Sequence, residues 1–305
     1  MSQAAGSASA GSVHGFSVHS RARFNYLRSG GGEPLLVREN GSPPDQVGSF
    51  LAQRTSRNGA VTHIYERNGT FSVDVEGIGW FVVDSTAGSI EVPPWPEPAW
   101  LEAEIWGLPA ALLVLARGGL LLHASAVEVD GRVVILTGPS HHGKTTLAGA
   151  LSAAGHRLLS EDLIRLDVGT TTPRVYPGPA VLRLRRDVAR WLDVPGAREV
   201  AADAEKVHLA LEPAQRGTCD PLPLAGIVLL HRGSTLAMER LEPVSMIQDL
   251  WAISLNLPTS EGRARCFNDI THIAESVPIW KLVRPLTRES LPDVMNLVIE
   301  AGRAP

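Results

Sequence analysis

The sequence predicts an α/β domain with a mixed sheet and flanking helices, preceded by a β-rich N-terminal domain. An apolar run, Val133–Leu136, leads through a glycine-rich loop into a helical segment, Thr145–Ala154, and α/β sheets are built from this alternation. Asp130-Gly131 separates two apolar runs, a pattern typical of a two-residue hairpin turn. Before residue 99, short alternating segments cut by turns indicate strands.

The composition indicates a globular chain without the charge of a nucleic-acid-binding protein. At 305 residues, with 44% hydrophobic residues, the chain can bury one large core or two modest ones. The net charge of −4 at pH 7 supplies no basic patch, so we expect no nucleic-acid partner. Cys219 and Cys266 lack metal-ligand spacing and are too few for a disulfide framework, which favours a reducing compartment.

No segment has the pattern of a membrane anchor. The longest apolar stretch, Leu108–Ala116, is far too short to span a bilayer. The small, polar N-terminal residues lack the basic and apolar regions of a signal peptide. We therefore expect a cytoplasmic protein with no membrane partner.

The changes in pattern along the chain predict a tail and two domains. Residues 1–12 are mostly Ser, Ala and Gly and predict a disordered tail. Residues 13–116 predict a β-rich N-terminal domain that ends in a linker helix interrupted near Gly107 and Pro109, and residues 117–305 form the α/β domain. The predicted N-terminal strands are Phe16–Ser20, Val61–Tyr65, Phe71–Val75 and Trp80–Val83.

The α/β domain begins with the hairpin Leu120–Val129 and Arg132–Thr137. Counting outward from a two-residue turn puts His123 opposite Gly138. A short strand, Arg157–Ser160, follows the helix, and a right-handed crossover lays it parallel to Arg132–Thr137. The further predicted strands are Leu163–Val168, Arg174–Tyr176, Ala180–Arg185, Val207–Leu211, Gly226–Leu230, Thr235–Leu241 and Ile279–Leu282, and the further helices are Val244–Leu255, Glu261–Glu275 and Leu291–Ala301.

The loop Gly138–Thr145 fits G-x-x-x-x-G-K-[ST], the phosphate-binding P-loop, between the strand and the helix that this motif requires. Its backbone N–H groups are expected to surround the phosphates of ATP. Lys144 would neutralise charge on the β- and γ-phosphates, and the Thr145 hydroxyl would bind Mg²⁺. The residues expected to bind the nucleotide are Gly138, Pro139, Ser140, His141, His142, Gly143, Lys144, Thr145 and Thr146.

An acidic pair, Glu161-Asp162, directly follows the strand predicted at Arg157–Ser160. Parallel strands end at the same edge of a sheet, so the pair is expected beside the phosphates. A carboxylate at this position suits both a Mg²⁺ ligand and a general base. The hairpin register adds His123 to the same site. The other interpretations are a solvated acidic loop and a structural histidine.

These residues resemble the C-terminal domain of HPr kinase/phosphorylase in their order along the chain. The resemblance is carried by His123, the P-loop and Leu159-Ser160-Glu161-Asp162, and it extends from about residue 117 to the end. It is closer to the HPr-kinase-like proteins encoded beside peptide natural-product genes, including lasso-peptide precursor kinases. The fold class implied is the one named for HPr kinase and PEP carboxykinase.

The resemblance implies ATP-dependent phosphorylation of a Ser or Thr hydroxyl in a peptide or protein, such as a natural-product precursor. Glu161 and Asp162 would divide the roles of base and metal ligand, with Thr145 as a second Mg²⁺ ligand. Lys144 would neutralise phosphate charge, and His123 would orient or assist. The HPr kinases are hexamers, so the resemblance is compatible with a homo-oligomer of this chain.

This chain departs from the family pattern at two positions. The family usually has Asp-Asp where Glu161-Asp162 stands here, which leaves open which carboxylate is the base. The family usually has Gly at the position of His141, and a positive φ at this residue would store about 1–3 kcal/mol of strain. His141 and His142 are expected either to point into solvent or to meet a phosphate or a substrate carboxylate.

Two alternative functions fit the same motif. The first is a kinase for a small-molecule hydroxyl of a sugar, nucleoside or antibiotic, and the second is a nucleotide-sensing protein without transfer activity. Lys144, Thr145 and Asp162 argue against the sensor, because binding alone does not require this set. We expect Arg183, Arg185 and Arg186 to form a solvated face.

Overall fold

The computed structural model describes residues 9–40, 42–56, 59–94, 98–169, 172–212, 217 and 219–304. The N-terminal strands are β1 (Ser9–Val13), β2 (Phe16–Ser20), β3 (Glu33–Glu39), β4 (Ser49–Thr55), β5 (Val61–Arg67), β6 (Thr70–Val75), β7 (Gly79–Asp84) and β8 (Ser89–Val92). They form one eight-stranded sheet in the order β1-β2-β3-β8-β7-β6-β5-β4. Two neighbouring pairs, β2–β3 and β3–β8, are parallel, so this sheet is mixed.

Alternating apolar residues predict β2, β5, β6 and β7, and all of these strands are present. The strands β1, β3, β4 and β8 were not predicted, because β1, β3 and β4 show little alternation and the alternating strand β8 has only four residues. The expected disordered tail is wrong for residues 9–12, which belong to β1 because their backbone pairs with β2 in a hairpin. Residues 1–8 of that tail lie outside the described residues.

The predicted linker helix is divided into α1 (Pro98–Ile105) and α2 (Leu108–Ala116). The break falls at Gly107, close to where the sequence places it. Pro109 lies in the first turn of α2, where its missing N–H leaves no hydrogen bond unmade. Six residues of α2, Pro109 through Val114, are buried, so this helix is part of the core.

After α2, the described residues form eleven strands: β9 (Leu120–Val129), β10 (Arg132–Thr137), β11 (Leu158–Asp167), β12 (Arg174–Tyr176), β13 (Val181–Arg185), β14 (Ala197–Ala202), β15 (Lys206–Leu211), β16 (Leu222–Arg232), β17 (Ala237–Arg240), β18 (Ser254–Leu255) and β19 (Ile279–Arg284). A second sheet has the order β10-β9-β11-β12-β16-β19-β17, and β18 joins it beside β9. A small third sheet has the order β13-β15-β14. Parallel pairing of β10–β16 and β16–β19 makes the second sheet mixed, as predicted.

Four helices cover the two faces of the second sheet: α3 (Lys144–Ala153), α5 (Pro243–Ile253), α6 (Ser260–Ser276) and α7 (Leu291–Arg303). The short helix α4 (Arg186–Ala189) contacts β13 and β15 of the third sheet. Val134 and Leu136 of β10 share one core cluster with residues of α3 and α7. Val133 and Ile135 share the opposite cluster with residues of α5 and α6. In the described part of the chain, no helix combines the length and the apolar character needed to cross a membrane.

The hairpin β9–β10 has the turn that Asp130-Gly131 predicts. Both residues have positive φ, 50° and 77°, as a type I′ turn requires. The register agrees with the prediction from Arg132 opposite Val129 as far as Leu136 opposite Ser125. The expected pair of His123 with Gly138 is wrong, because this ladder ends at Leu136 and His123 pairs with Leu163 of β11.

The acidic pair lies inside a long strand, which corrects the prediction that a strand ends at Ser160. β11 runs from Leu158 to Asp167 in the direction of β10, from which β9 separates it. The strand continues through Glu161 and Asp162 because both residues pair with β9, at Ser125 and Ala124. Ser125 and Ala124 lie beside the end of β10, where the glycine-rich loop begins.

Candidate active site

The glycine-rich loop joins β10 to α3, and its backbone requires glycine at both ends. Gly138 has a φ of 135°, and a Cβ atom there would lie 2.6 Å from the carbonyl oxygen of Leu230. Gly143, with a φ of 80°, immediately precedes α3. Between them, His141 adopts a φ of 65°, the strained backbone anticipated for this position. The chain therefore turns back tightly before the helix begins.

Lys144 opens α3 and its side chain reaches back over the loop. Its Nζ donates hydrogen bonds to the carbonyl oxygens of Gly138 and Pro139, at 2.8 and 3.3 Å. The N–H groups of the first helical turn have no acceptor within the helix, and the helix dipole adds partial positive charge there. A cation and a helix N-terminus thus converge on one loop, an arrangement suited to an anion.

The predicted nucleotide-binding residues occupy distinct parts of this loop. Pro139, Ser140 and His141 form its exposed part, and Thr146 follows Thr145 in the first turn of α3. His142 is half-buried, and its Nδ1 lies 3.0 Å from the carbonyl oxygen of Leu230. One ring nitrogen of His142 is therefore held by β16 and does not point into solvent, whereas contact of this residue with a phosphate stays a prediction.

A buried arginine, Arg284, supports the C-terminal end of the loop. Its side chain is 2% exposed, and Nη2 donates to the carbonyl oxygens of His142 and Gly143 at 3.1 and 3.2 Å. Burial lowers the pKa of this guanidinium. A Cβ atom at Gly143 would collide with the same guanidinium, which is a second reason for glycine there. Nothing in the local sequence around Arg284 predicts this role.

Glu161 connects the loop to the acidic pair. Thr145 Oγ1 donates to Glu161 Oε1 at 2.9 Å, and Arg183 Nε donates to Oε2 at 2.8 Å. Both carboxylate oxygens are therefore engaged, and the Glu161 side chain is 4% exposed. A buried carboxylate held by a cation and a hydroxyl keeps a fixed orientation.

Asp162 is the more accessible member of the pair, with 36% of its side chain exposed. Its Oδ2 lies 2.7 Å from Arg183 Nη2, and its Oδ1 lies 3.2 Å from Nδ1 of His123. Burial raises the pKa of the Asp162 carboxyl, but the charges of Arg183 and His123 outweigh it and hold the pKa below its usual value. Asp162 has a φ of 81°, which only a constrained site imposes on a non-glycine residue.

Arg183 is the functional residue that sequence reasoning missed. The expectation of a solvated face is wrong for this residue, because β13 points it at Glu161 and Asp162, whereas Arg185 pairs with Asp187 at the surface. Burial lowers the pKa of Arg183, but the two carboxylates more than compensate and raise it. The available signal was a charge inside the apolar strand sequence Val181-Leu182-Arg183-Leu184.

A second arginine, Arg28 of the N-terminal part, holds the backbone that leads into the acidic pair. Its side chain is 1% exposed, with Nε donating to the Gly178 carbonyl oxygen at 2.8 Å. Nη2 donates to the carbonyl oxygens of Leu158 and Leu159 at 2.9 and 2.8 Å. The start of β11 therefore depends on a residue far away in the sequence.

The oxygen atoms around Thr145 form the donor set that Mg²⁺ uses. Among the described residues, no three His, Cys, Asp or Glu side chains are grouped so that they could hold a metal ion by themselves. Mg²⁺ is usually bound by one or two carboxylates together with substrate phosphates, and it does not require such a group. Thr145, Glu161 and Asp162 suit Mg²⁺ binding of this kind, shared with substrate phosphates, since they offer a hydroxyl and two carboxylates.

Comparison with known proteins shows a distant structural likeness. No model of a protein family and no curated protein sequence matches this chain. Among solved structures, the chain is similar to the Hpr(Ser) kinase/phosphatase from Coxiella burnetii, at 12% identity and a TM-score of 0.32. The likeness covers 59% of this chain and 94% of that one. Because this similarity is so low, a function is inferred from the residues of the site and not from the likeness.

Proposed function

We propose that this protein is an ATP-dependent kinase that transfers the γ-phosphoryl group to a Ser or Thr hydroxyl of a peptide or protein. The observation that carries the proposal is one connected set of side chains, Thr145–Glu161–Arg183–Asp162–His123, with contacts of 2.7 to 3.2 Å. This set begins at the helix that follows the glycine-rich loop and ends at a half-exposed histidine. It joins a phosphate site to a candidate base.

The loop supplies the phosphate site. The loop from Gly138 to Gly143 leads into the N-terminus of α3, where N–H groups and the helix dipole favour phosphate. Lys144 would exchange the carbonyl oxygens of Gly138 and Pro139 for oxygens of the β- and γ-phosphates. Its charge would then neutralise the leaving group, which is the main requirement of phosphoryl transfer.

Thr145 and Glu161 would hold Mg²⁺, which leaves the Asp162 carboxylate for the role of base. Mg²⁺ bound with the nucleotide neutralises charge on the β- and γ-phosphates. Glu161 is suited to the metal because it is buried, directly bonded to Thr145 and fixed in direction by Arg183.

Asp162 would be the base that accepts the proton of the acceptor hydroxyl. It is the more exposed carboxylate of the pair, and its lowered pKa keeps it ionised throughout the neutral range. A weak base is sufficient here, because positioning and charge neutralisation contribute more to phosphoryl transfer than proton abstraction. His123 would orient this carboxylate through the Nδ1–Oδ1 contact. This activity requires ATP, so we place the protein in the cytoplasm.

The proposal is tested by transfer of labelled phosphate from ATP-Mg to Ser- and Thr-containing peptides, beside a panel of sugars and nucleosides. Asp162→Asn is expected to lower kcat by about 10²–10⁴-fold while ATP affinity is retained. Asp167→Asn, on the same strand, is the matched control, because Asp167 bonds its own turn at Gly169. Lys144→Ala is expected to lose ATP binding itself.

The outcomes separate the competing functions. Transfer to peptides that disappears with Asp162→Asn supports the kinase and its base. Transfer restricted to sugars or nucleosides contradicts the peptide acceptor. Tight ATP binding by the wild type with no transfer to any acceptor contradicts the kinase and supports a nucleotide sensor.

A further inference from the structure

Two carbonyl groups at the end of the glycine-rich loop meet one buried guanidinium. Arg284 is the last residue of β19, and its Nη2 donates to the carbonyl oxygens of His142 and Gly143 at 3.1 and 3.2 Å. These oxygens belong to consecutive peptide units, His142–Gly143 and Gly143–Lys144. One side chain of a strand therefore holds two neighbouring peptide planes of the loop.

A peptide plane that is held by its carbonyl oxygen has a fixed N–H direction as well. In a trans peptide unit the C=O and N–H bonds point in opposite directions, and both units are trans. The N–H groups of Gly143 and Lys144 therefore point away from the guanidinium of Arg284. Gly143 precedes α3 and Lys144 is its first residue, so the helix itself offers these N–H groups no acceptor.

The adjacent strand, β16, fixes the same end of the loop. Nδ1 of His142 lies 3.0 Å from the carbonyl oxygen of Leu230 in β16, and β16 pairs in parallel with β19. A Cβ atom at Gly143 would collide with Arg284, so glycine allows the guanidinium to approach the backbone. The ends of two neighbouring strands thus determine how the loop presents its N–H groups.

The charge of Arg284 has no counter-charge among the described residues. Arg183, the other buried guanidinium of the site, contacts two carboxylates, whereas Arg284 forms no ion pair and its Nε has no hydrogen-bond partner in the described part of the chain. Burial lowers the pKa of Arg284, and no carboxylate acts against this effect. A buried charge is costly unless an anion compensates it, so an uncompensated cation behind this loop indicates a bound anion.

We propose that Arg284 is a positioning residue of the phosphate site: it directs the N–H groups of Gly143 and Lys144 at the phosphates of the nucleotide, and those phosphates compensate its charge. The inference rests on the nucleotide binding of the proposed function and adds a residue from outside the loop motif. Arg284 acts through the two peptide units and is not itself a phosphate ligand. A cation at a carbonyl oxygen also polarises the peptide unit, which makes its N–H a stronger donor.

Substitutions at Arg284 separate its charge and hydrogen bonds from its bulk. Arg284→Met keeps a similar length without a donor and is expected to raise the Kd for ATP-Mg about 10- to 100-fold, the loss of one hydrogen bond to a charged group. Arg284→Lys is expected to stay within about threefold of the wild type, because one ammonium can donate to both oxygens. Arg132→Met is the matched control, since Arg132 also donates to a carbonyl oxygen, that of Ala304 at 3.1 Å, but from the start of β10.

Calorimetric titration with two probes locates the effect on the ligand. The first probe is ATP-Mg, and the second is magnesium tripolyphosphate, which has no nucleoside. Arg284→Met is expected to raise both Kd values by the same factor, because the N–H groups of Gly143 and Lys144 face phosphate and not adenosine. Thermal unfolding without ligand monitors the folded state of each variant.

Selective isotope labelling observes the two peptide units directly, including in the wild type. The pair Gly-Lys occurs once in the sequence, at Gly143-Lys144, and the pair His-Gly occurs twice, at His14-Gly15 and His142-Gly143. Labelling the first carbonyl with ¹³C and the second nitrogen with ¹⁵N isolates their NMR resonances. Magnesium tripolyphosphate is expected to shift both N–H resonances of the loop, with His14-Gly15, between β1 and β2, as the reference. In Arg284→Met, the ¹³C resonance of the His142 carbonyl is expected to move without any ligand, because it loses its hydrogen bond.

The outcomes distinguish this inference from the proposed function. An unchanged Kd in Arg284→Met, an equal loss in Arg284→Lys, or wild-type loop resonances that ignore bound tripolyphosphate would each overturn the positioning role and leave the kinase standing. The wild-type resonances and Arg284→Lys decide the question even where Arg284→Met lowers the melting temperature. ATP binding that depends on Arg284, without transfer to any acceptor, supports the positioning role and contradicts the kinase. Absence of ATP and tripolyphosphate binding by the wild type overturns both.

Discussion

Replacing Arg183 by methionine removes the one guanidinium that contacts both carboxylates of the candidate site. Methionine keeps an unbranched side chain of similar length, so the main loss is the charge and its hydrogen bonds at 2.8 Å to Glu161 and 2.7 Å to Asp162. Glu161 would keep Thr145 as its partner, whereas Asp162 would keep His123.

The cost follows from the burial of the three side chains. Removing one partner of a fully buried ion pair costs about 3–5 kcal/mol, because the other charge is left without compensation. Glu161 is 4% exposed, but Arg183 is 23% and Asp162 36% exposed, so water screens part of the interaction. We therefore expect the free energy of unfolding at neutral pH to fall by about 2–3 kcal/mol, less than for a fully buried pair.

The loss depends on pH in a defined direction. In the wild type, the pKa of Asp162 is held below its unfolded value, largely by Arg183. The resulting stabilisation is present above the unfolded pKa and is lost as the pH falls through the folded pKa. The stability difference between wild type and Arg183→Met should therefore shrink as solutions are made acidic, since the variant lacks this stabilisation at every pH.

Urea unfolding from neutral pH down to acid pH measures the difference, and the pH profile of kcat/KM for transfer reports the same carboxylate. In Arg183→Met, the acid limb of that profile is expected to move to higher pH, since the pKa of Asp162 rises. Arg185→Met is the matched control, because its partner Asp187 is at the surface and exposed pairs contribute about 0–1 kcal/mol. Equal stability of the two variants, with an unmoved acid limb, would refute the reasoning.

Two further predictions concern groups outside the acidic pair. Burial raises the pKa of Glu102 to about 7 from 4.5, so its contribution to stability is present below pH 4.5 and is lost as pH rises to 7, by about 3 kcal/mol. Urea unfolding should show wild type losing this amount relative to Glu102→Gln between those pH values, and a constant difference would contradict the assignment. His141→Gly should be about 0.5–1 kcal/mol more stable to urea than His141→Ala, because alanine retains the penalty of a φ of 65°, and equal stabilities would contradict that strain.

Features set by neighbouring residues were predictable from the sequence. The Asp130-Gly131 turn has the positive φ angles that a type I′ hairpin requires, and these residues alone provide them. The first stretch of the β9–β10 ladder follows by counting. The strand, glycine-rich loop and helix around Lys144 were predictable for the same reason, since glycine positions and apolar runs are local signals.

Features set by distant partners were not predictable. The prediction ended a strand at Ser160 because two adjacent carboxylates usually mark a loop, but pairing with β9 carries β11 through them. The register of His123 failed for a related reason, since the β9–β10 ladder ends at Leu136 before it reaches His123 and β18 pairs with β9 beyond that point. Which strand pairs with which, beyond a hairpin, depends on contacts that alternation does not encode.

The site residues also divide into those that local sequence signals predict and those that depend on distant partners. Glu161, Asp162 and Thr145 could be expected together, because a motif and a sheet edge brought them to one place. Arg183 could not, because an arginine in a short strand usually faces solvent, and its direction depends on how the third sheet is placed. Arg28 carries no local signal, since its three acceptors are carbonyl oxygens more than a hundred residues away.

The buried bonds of Arg28 have a consequence for protein engineering. A fragment cut at the predicted boundary before Arg117 would retain the glycine-rich loop and the acidic pair. It would also remove the Arg28 donor from the carbonyl oxygens of Gly178, Leu158 and Leu159, the last two of which lie immediately upstream of Glu161. A chimera that exchanges the first half of the chain must therefore supply an equivalent arginine. These hydrogen bonds make the structure of the second half depend on a residue of the first, so the two halves are not interchangeable modules.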